Sequence, residues 1–148
     1  MAQSLSRVII HIIFSTKNRQ KFLNDEIRNR LQAYLATVLR DSGSVAFKVG
    51  GPYDHVHIAC SLPRTISQID LIKKLKILST KWMKENFEES FSWQTGYGVF
   101  SVGESQLSAL VSYIENQIEH HRMKSFKDEF RTFLNKYNIN FDEQYVWD

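Results

Sequence analysis

From Arg7 to Phe14 the chain reads Arg-Val-Ile-Ile-His-Ile-Ile-Phe, apolar and β-branched at nearly every position. Side chains of a strand alternate between faces, so a run without a polar face is buried on both. It reads as the central strand of a sheet. Asn24 is a suitable helix N-cap, Asp25 and Glu26 suit the positive end of a helix, and Ile27, Leu31, Tyr34, Leu35 and Val38 form an apolar stripe up to Gly43. Residues 45–49 read as a short strand, and Gly50-Gly51-Pro52 turns into a third strand, Tyr53 to Cys60, so strands two and three form a hairpin. Between residues 67 and 87, Ile69, Ile72, Leu75, Leu78 and Trp82 recur at helical spacing, and residues 96–102 read as a fourth strand whose glycines permit close backbone approach.

This order, β-α-β-β-α-β, is the split βαβ or ferredoxin-like arrangement, an α+β fold also described as RRM-like. It puts the first and third strands in the middle of an antiparallel sheet, with both helices on one face. A third helix over residues 105–121 follows, with Leu107, Leu110, Val111, Ile114 and Ile118 as its stripe. It can cover the open face or meet another subunit. Residues 122–148 read as a final helix and an aromatic tail that holds it down. No repeat, low-complexity run or linker divides the chain, which is read as one domain over residues 1–148.

In the third strand, Val56, Ile58 and Cys60 can enter the core while His55 and His57 share the opposite face. Two imidazoles about 7 Å apart along one strand suit a divalent metal. With five histidines in 148 residues, such a pair arises by chance in roughly one chain in six, so its weight depends on further ligands. Cys60 is the only cysteine, which excludes internal disulfides and a cysteine-based zinc cluster. A chain of this length buries a sufficient core without a structural metal, so any metal here serves function. The N-terminus has no signal-peptide pattern and no apolar run reaches membrane-spanning length, so the expectation is a cytoplasmic protein with no membrane partner.

The net charge of +3 and pI near 9.0 are compatible with a polyanion and with an ordinary solvated surface. Placement is more informative. Lys17, Arg19 and Lys21 cluster on the loop after the first strand, where they can hold phosphates or simply solubilise. Lys73 and Lys74 lie on the outer surface of the second helix. Within the third helix, Tyr113, Gln117 and His120 fall inside an arc of about 60° beside the apolar stripe. A phenol with an ordinary pKa near 10 is a poor nucleophile unless a cation or base stabilises the phenolate. A divalent ion on His55, His57 and the Gln117 oxygen would polarise a phosphodiester for attack by Tyr113. That attack gives a covalent phosphotyrosine and frees a hydroxyl; because the bond energy is kept, a second hydroxyl can reverse the step. His120 is open to several roles: a further ligand, a proton carrier, a phosphate contact, or a solvated surface histidine.

His55-Val56-His57, then Trp93-Gln94-Thr95-Gly96-Tyr97-Gly98-Val99-Phe100-Ser101-Val102, then Tyr113-Ile114-Glu115-Asn116-Gln117-Ile118-Glu119-His120-His121-Arg122 closely resemble the HUH-type single-tyrosine transposases of the insertion sequence 200/605 family. The resemblance extends from Ser15-Thr16-Lys17 to Glu129-Phe130 and the terminal residues 141–147. It implies a metal-dependent DNA nickase and strand transferase that acts on single-stranded DNA at hairpin-marked element ends. It implies His55 and His57 as metal ligands, Gln117 as the third, Tyr113 as nucleophile, magnesium or manganese as the ion, and a 5′-phosphotyrosine intermediate. It also implies a homodimer, in which the tyrosine helix of one subunit can complete the histidine site of the other. A domesticated relative that cleaves chromosomal hairpins has the same internal sequence features. A non-catalytic module that binds single-stranded nucleic acid is the alternative from another class. A third reading is a phosphodiesterase that uses two His-x-Thr motifs without covalent attachment, for which the chain offers no second motif of that kind.

Overall fold

The computed structural model describes residues 2–148. Four strands, β1 (Ile9–Ser15), β2 (Ala46–Gly50), β3 (His55–Ser61) and β4 (Gly98–Val102), form one antiparallel sheet in the order β2-β3-β1-β4. Every residue of β1 is buried, as its two apolar faces require. The helices α1 (Asp25–Asp41) and α2 (Gln68–Asn86) pack Leu31, Leu35, Leu71 and Leu75 onto Ile10, Ile12, Phe14, Val56, Ile58 and Cys60. The ferredoxin-like order is therefore observed. Local chemistry sets the helix starts: Asn24 Oδ1 accepts from Ile27 N at 3.0 Å and Ser67 Oγ from Asp70 N at 3.1 Å. The strand boundaries differ from the pattern by one or two residues. The third strand starts only at His55, because residues 53–54 bend after Pro52.

Strand parity sends His11, Ile13, His55 and His57 to the other face. That face is covered from within the chain. The helix α5 (Phe126–Lys136) is started by Ser125, whose hydroxyl accepts from Asp128 N at 3.2 Å. It lays Phe126, Phe130 and Leu134 onto Ile13 and Phe100, and Phe141, Val146 and Trp147 of the tail close the edge. Two bonds tie the tail down: the Arg19 guanidinium donates to the Trp147 carbonyl at 2.8 Å, and Gly96 N to the Asp148 carbonyl at 2.8 Å. Gly98 takes part in this closure, since a β-carbon there would stand 2.9 Å from the Phe130 ring. No helix among the described residues is long and apolar enough to cross a membrane.

The third helix does not run unbroken over residues 105–121. After a 3-10 turn at Glu104–Gln106, α3 (Leu107–Glu115) ends at Asn116, whose φ of −97° and ψ of 19° leave the helical region, and α4 (Gln117–His120) begins anew. Asparagine competes for the backbone with its own side chain and favours helix ends. The α3 stripe covers less of the sheet than its pattern implies: Ile114 is buried but Ile118 is 37% exposed.

Gly50 decides how closely α3 approaches. A β-carbon there would lie 2.6 Å from Ile114 Cγ2 and 3.0 Å from the Ile114 carbonyl oxygen. The carbonyl is backbone and cannot rotate away. The Gly50→Ala variant is therefore expected to lose about 1–3 kcal/mol of stability in denaturant unfolding, the usual penalty of overpacking. It also pushes α3, and with it the adjoining Tyr113, away from the sheet. Unchanged stability would mean that α3 floats free of β2.

Candidate active site

His57 is fully buried and held at both nitrogens: His11 Nε2 lies 2.8 Å from its Nδ1, and Glu129 Oε1 lies 3.0 Å from its Nε2. His55 is equally buried, and its Nδ1 lies 2.7 Å from Asp54 Oδ1. A carboxylate accepts, so this bond fixes a proton on Nδ1, and in the neutral ring leaves the lone pair on Nε2. That Nε2 points at Glu129 Oε1, 3.2 Å away, as does Nε2 of His121, also at 3.2 Å. The other carboxylate oxygen, Oε2, accepts from the Tyr113 hydroxyl and from Gln117 Nε2 at 3.4 Å, with His120 Nε2 at 3.3 Å. The sheet thus supplies His55, His57 and His11, α3 supplies Tyr113, α4 supplies Gln117 and His120, and α5 supplies Glu129.

These surroundings shift the ionisable groups in a consistent way. Burial drives His57 down to about 4 and His11 well below its usual value, so both are neutral. Burial opposes the charge on His55 as well, yet the bond to Asp54 and the nearby Glu129 carboxylate outweigh that and raise it. Burial alone would raise Glu129, but His57, His121 and His55 hold it well below the carboxylate range. The Tyr113 phenol is pushed well above its ordinary value, first by burial and then by the charge of Glu129. As it stands it is a weak nucleophile, and a positive charge in its surroundings is what would change that.

The donor set fits a cation. His55 Nε2, His121 Nε2 and Gln117 Oε1 are buried without a hydrogen-bond partner, whereas buried polar atoms are normally satisfied. One ligand atom from each of His55, His57, His121 and Glu129 lies within 4.8 Å of the others. Imidazole suits zinc and its transition-metal neighbours, and carboxylate suits magnesium or manganese.

Of the residues singled out by sequence, His55, His57, Gln117, His120 and Tyr113 come together. Lys17, Arg19 and Lys21 lie on the loop beyond β1; Lys21 lines a cleft of about 370 Å³ that reaches His121, and Arg19 is engaged with Trp147. Lys73 and Lys74 are exposed on α2, which packs on the opposite face of the sheet from the histidines, so they are not part of this cluster. Four residues escaped the pattern reading. His11 lay inside an apolar run, although a polar side chain in a strand buried on both faces must find a partner, which was a usable signal. Asp54 adjoins His55 and needed only the tautomer argument. His121 and Glu129 gave no local signal.

A family model described as Transposase IS200 like matches residues 4–117. The chain belongs to the IS200-like transposases. Among curated relatives, the ISDra2 transposase TnpA of Deinococcus radiodurans is 26% identical over 114 residues, covering 72% of this chain and 81% of that one. Two solved structures share the fold. A putative transposase from Deinococcus radiodurans has a TM-score of 0.64 at 25% identity, over 79% of this chain and 98% of that one. A REP-associated tyrosine transposase bound to a REP hairpin has a TM-score of 0.60 at 16% identity, over 82% of this chain and 74% of that one. In this IS200-like chain the Trp93-Gln94 motif has a structural role. Trp93 packs edge-on against Phe14 at 4.8 Å, and the Gln94 amide accepts from Ser15 N at 2.8 Å, extending the sheet past β1. Lys76 closes the following loop, donating to the carbonyls of Gln94, Thr95 and Gly96 at 2.9, 3.1 and 2.7 Å, and burial lowers it to about 8. Gln117 is the last matched residue, so His120, His121 and Glu129 lie beyond the matched segment.

Proposed function

We propose that this transposase nicks and rejoins single-stranded DNA at hairpin-marked ends through a 5′-phosphotyrosine on Tyr113, with a magnesium or manganese ion held by His55, His57 and Gln117. The observation that carries the reading is the convergence of the Tyr113 hydroxyl, the two strand histidines and Gln117 on one buried carboxylate within a single chain. When bound, the ion supplies the positive charge that polarises a phosphodiester and favours a phenolate. Tyr113 supplies the attacking oxygen: its bond to phosphorus forms as the bond from phosphorus to the 3′ oxygen breaks. The phenol proton, which points at Glu129 Oε2, is taken up by His120, whose Nε2 lies 3.3 Å from both that oxygen and the hydroxyl and which is 31% exposed. The departing 3′ oxygen takes up a proton and leaves as a hydroxyl. Attack by another 3′-hydroxyl on the phosphotyrosine runs the step backwards and rejoins strands.

A cleft of about 420 Å³ gives access, with Tyr113, His120 and Glu129 on its walls beside Phe133 and Tyr137. Lys17, Arg19 and Lys21 are the nearer candidates for phosphate contact; Lys73 and Lys74 would meet only a strand that wraps around to α2. The hairpin as substrate is carried over from the relative whose structure holds one. A homodimer is part of the proposal, each subunit bearing a site complete in its own chain. A domesticated role differs only in the flanking DNA, and a purely binding module would have no use for a tyrosine among metal-type ligands.

Labelled single-stranded hairpin DNA, incubated with the chain and manganese, is expected to give an adduct that survives a denaturing gel, with the modified peptide carrying Tyr113. Tight binding with no adduct across a panel of hairpins would favour the non-catalytic module instead.

A further inference from the structure

We infer that Glu129 and His121, contributed by the segment after the family match, are themselves ligands of the ion, so that metal binding and docking of α5 onto the sheet are one event. This rests on the reading of His55 and His57 as a metal site. Glu129 is 1% exposed, and a buried carboxylate needs compensating charge. Among the described residues, its ion-pair partners are His55, His57, His120 and His121, with no lysine or arginine.

In the neutral ring His55 donates its Nδ1 proton to Asp54 in a hydrogen bond, so the Nε2 lone pair and the Oε1 lone pairs face each other across 3.2 Å. Two such atoms repel unless a proton or a metal ion lies between them, and His55 Nε2 has no hydrogen-bond partner. The same oxygen is 3.0 Å from His57 Nε2 and 3.2 Å from His121 Nε2. Ligands bonded to one ion at about 2.1 Å stand about 3 Å from each other when adjacent. The two oxygens also divide their work, Oε1 facing His55, His57 and His121 and Oε2 facing the Tyr113 hydroxyl and His120. Glu129 therefore joins the ion to the nucleophile. Since Phe126 and Phe130 on the same helix fill the sheet face, the ion clamps α5 in place.

The test is calorimetric titration of manganese into the metal-stripped full chain, its Glu129→Gln and His121→Ala variants, and Glu129→Asp as a variant that keeps the charge. Glu129→Gln is expected to weaken binding at least about ten-fold, His121→Ala to weaken it similarly, and Glu129→Asp to fall between. Amide hydrogen exchange gives a second reading: manganese should slow exchange across residues 126–136 in the unaltered chain and not in Glu129→Gln. Affinity that is unchanged or tighter in Glu129→Gln would make Glu129 a mere stand-in for the absent charge and overturn the inference, even with the Tyr113 adduct intact. Failure of the unaltered chain to bind manganese would overturn the metal reading and this inference together.

Discussion

Replacing Tyr113 with phenylalanine is expected to abolish the covalent protein–DNA adduct while leaving DNA binding and manganese binding within a few-fold of normal. The change removes one oxygen and keeps the ring. That ring is positioned by its neighbours rather than by its hydroxyl: His57 and His120 meet it edge-on at 5.7 and 5.2 Å, and Phe133 at 6.0 Å. Glu129 loses one donor and keeps four imidazoles, so the stability cost is about 1 kcal/mol, visible as a small shift in a melting curve. The loss of cleavage should be at least about a thousand-fold, because no binding energy replaces a missing nucleophile. The decisive measurement is the denaturing gel, with the variant and the unaltered chain at equal DNA occupancy. An adduct of normal yield from Tyr113→Phe would transfer the role to another tyrosine. Tyr53, 38% exposed, lines the cleft on the far side of His121 and would be the next candidate.

The parts of this molecule that follow a local period were legible before folding. Burial of β1 on both faces follows from residues 7–14, and the common face of His55 and His57 follows from strand parity. Tyr113 and Gln117 could be paired because four residues on a helix return nearly to the same side. The pairing survives even though the helix breaks between them, since the turn at Asn116 is small. What could not be read is long-range. Glu129 stands in Phe126-Lys127-Asp128-Glu129-Phe130-Arg131, where alternating charges describe a solvated helix surface as well as anything else. Only the docking of Phe126 and Phe130 onto Ile13 and Phe100 turns that carboxylate inward. The covered sheet face is the same lesson: the chain was known to have an aromatic tail, but not that the tail and α5, rather than the tyrosine helix, would lie over β1 and β4. Lysines on α2 were equally ambiguous, and the fold separates Lys73 and Lys74 from the histidines by the whole thickness of the sheet.

His57→Ala should separate metal chemistry from DNA recognition. The imidazole is fully buried and bonded at both nitrogens, so its loss leaves a cavity, strands His11 Nε2 and removes a partner of Glu129. A destabilisation of about 1–3 kcal/mol is expected in the metal-free chain, or about 2–12 °C in melting temperature for a chain of this size. At a temperature where both proteins are folded, hairpin binding should persist, manganese binding should fall below detection, and cleavage should vanish. Cleavage at a normal rate would remove the metal from the mechanism. On the proposed mechanism the two variants should fail for different reasons, one keeping the ion without a nucleophile and the other a nucleophile without the ion. An equimolar mixture can therefore locate the tyrosine helix. With Tyr113 docked on the histidines of its own chain, as the contacts here have it, any mixed dimer would contain no intact site and would stay inactive. If α3 crossed to a second subunit, the mixture would recover cleavage, because one of its two sites would then combine an intact Tyr113 with an intact His57.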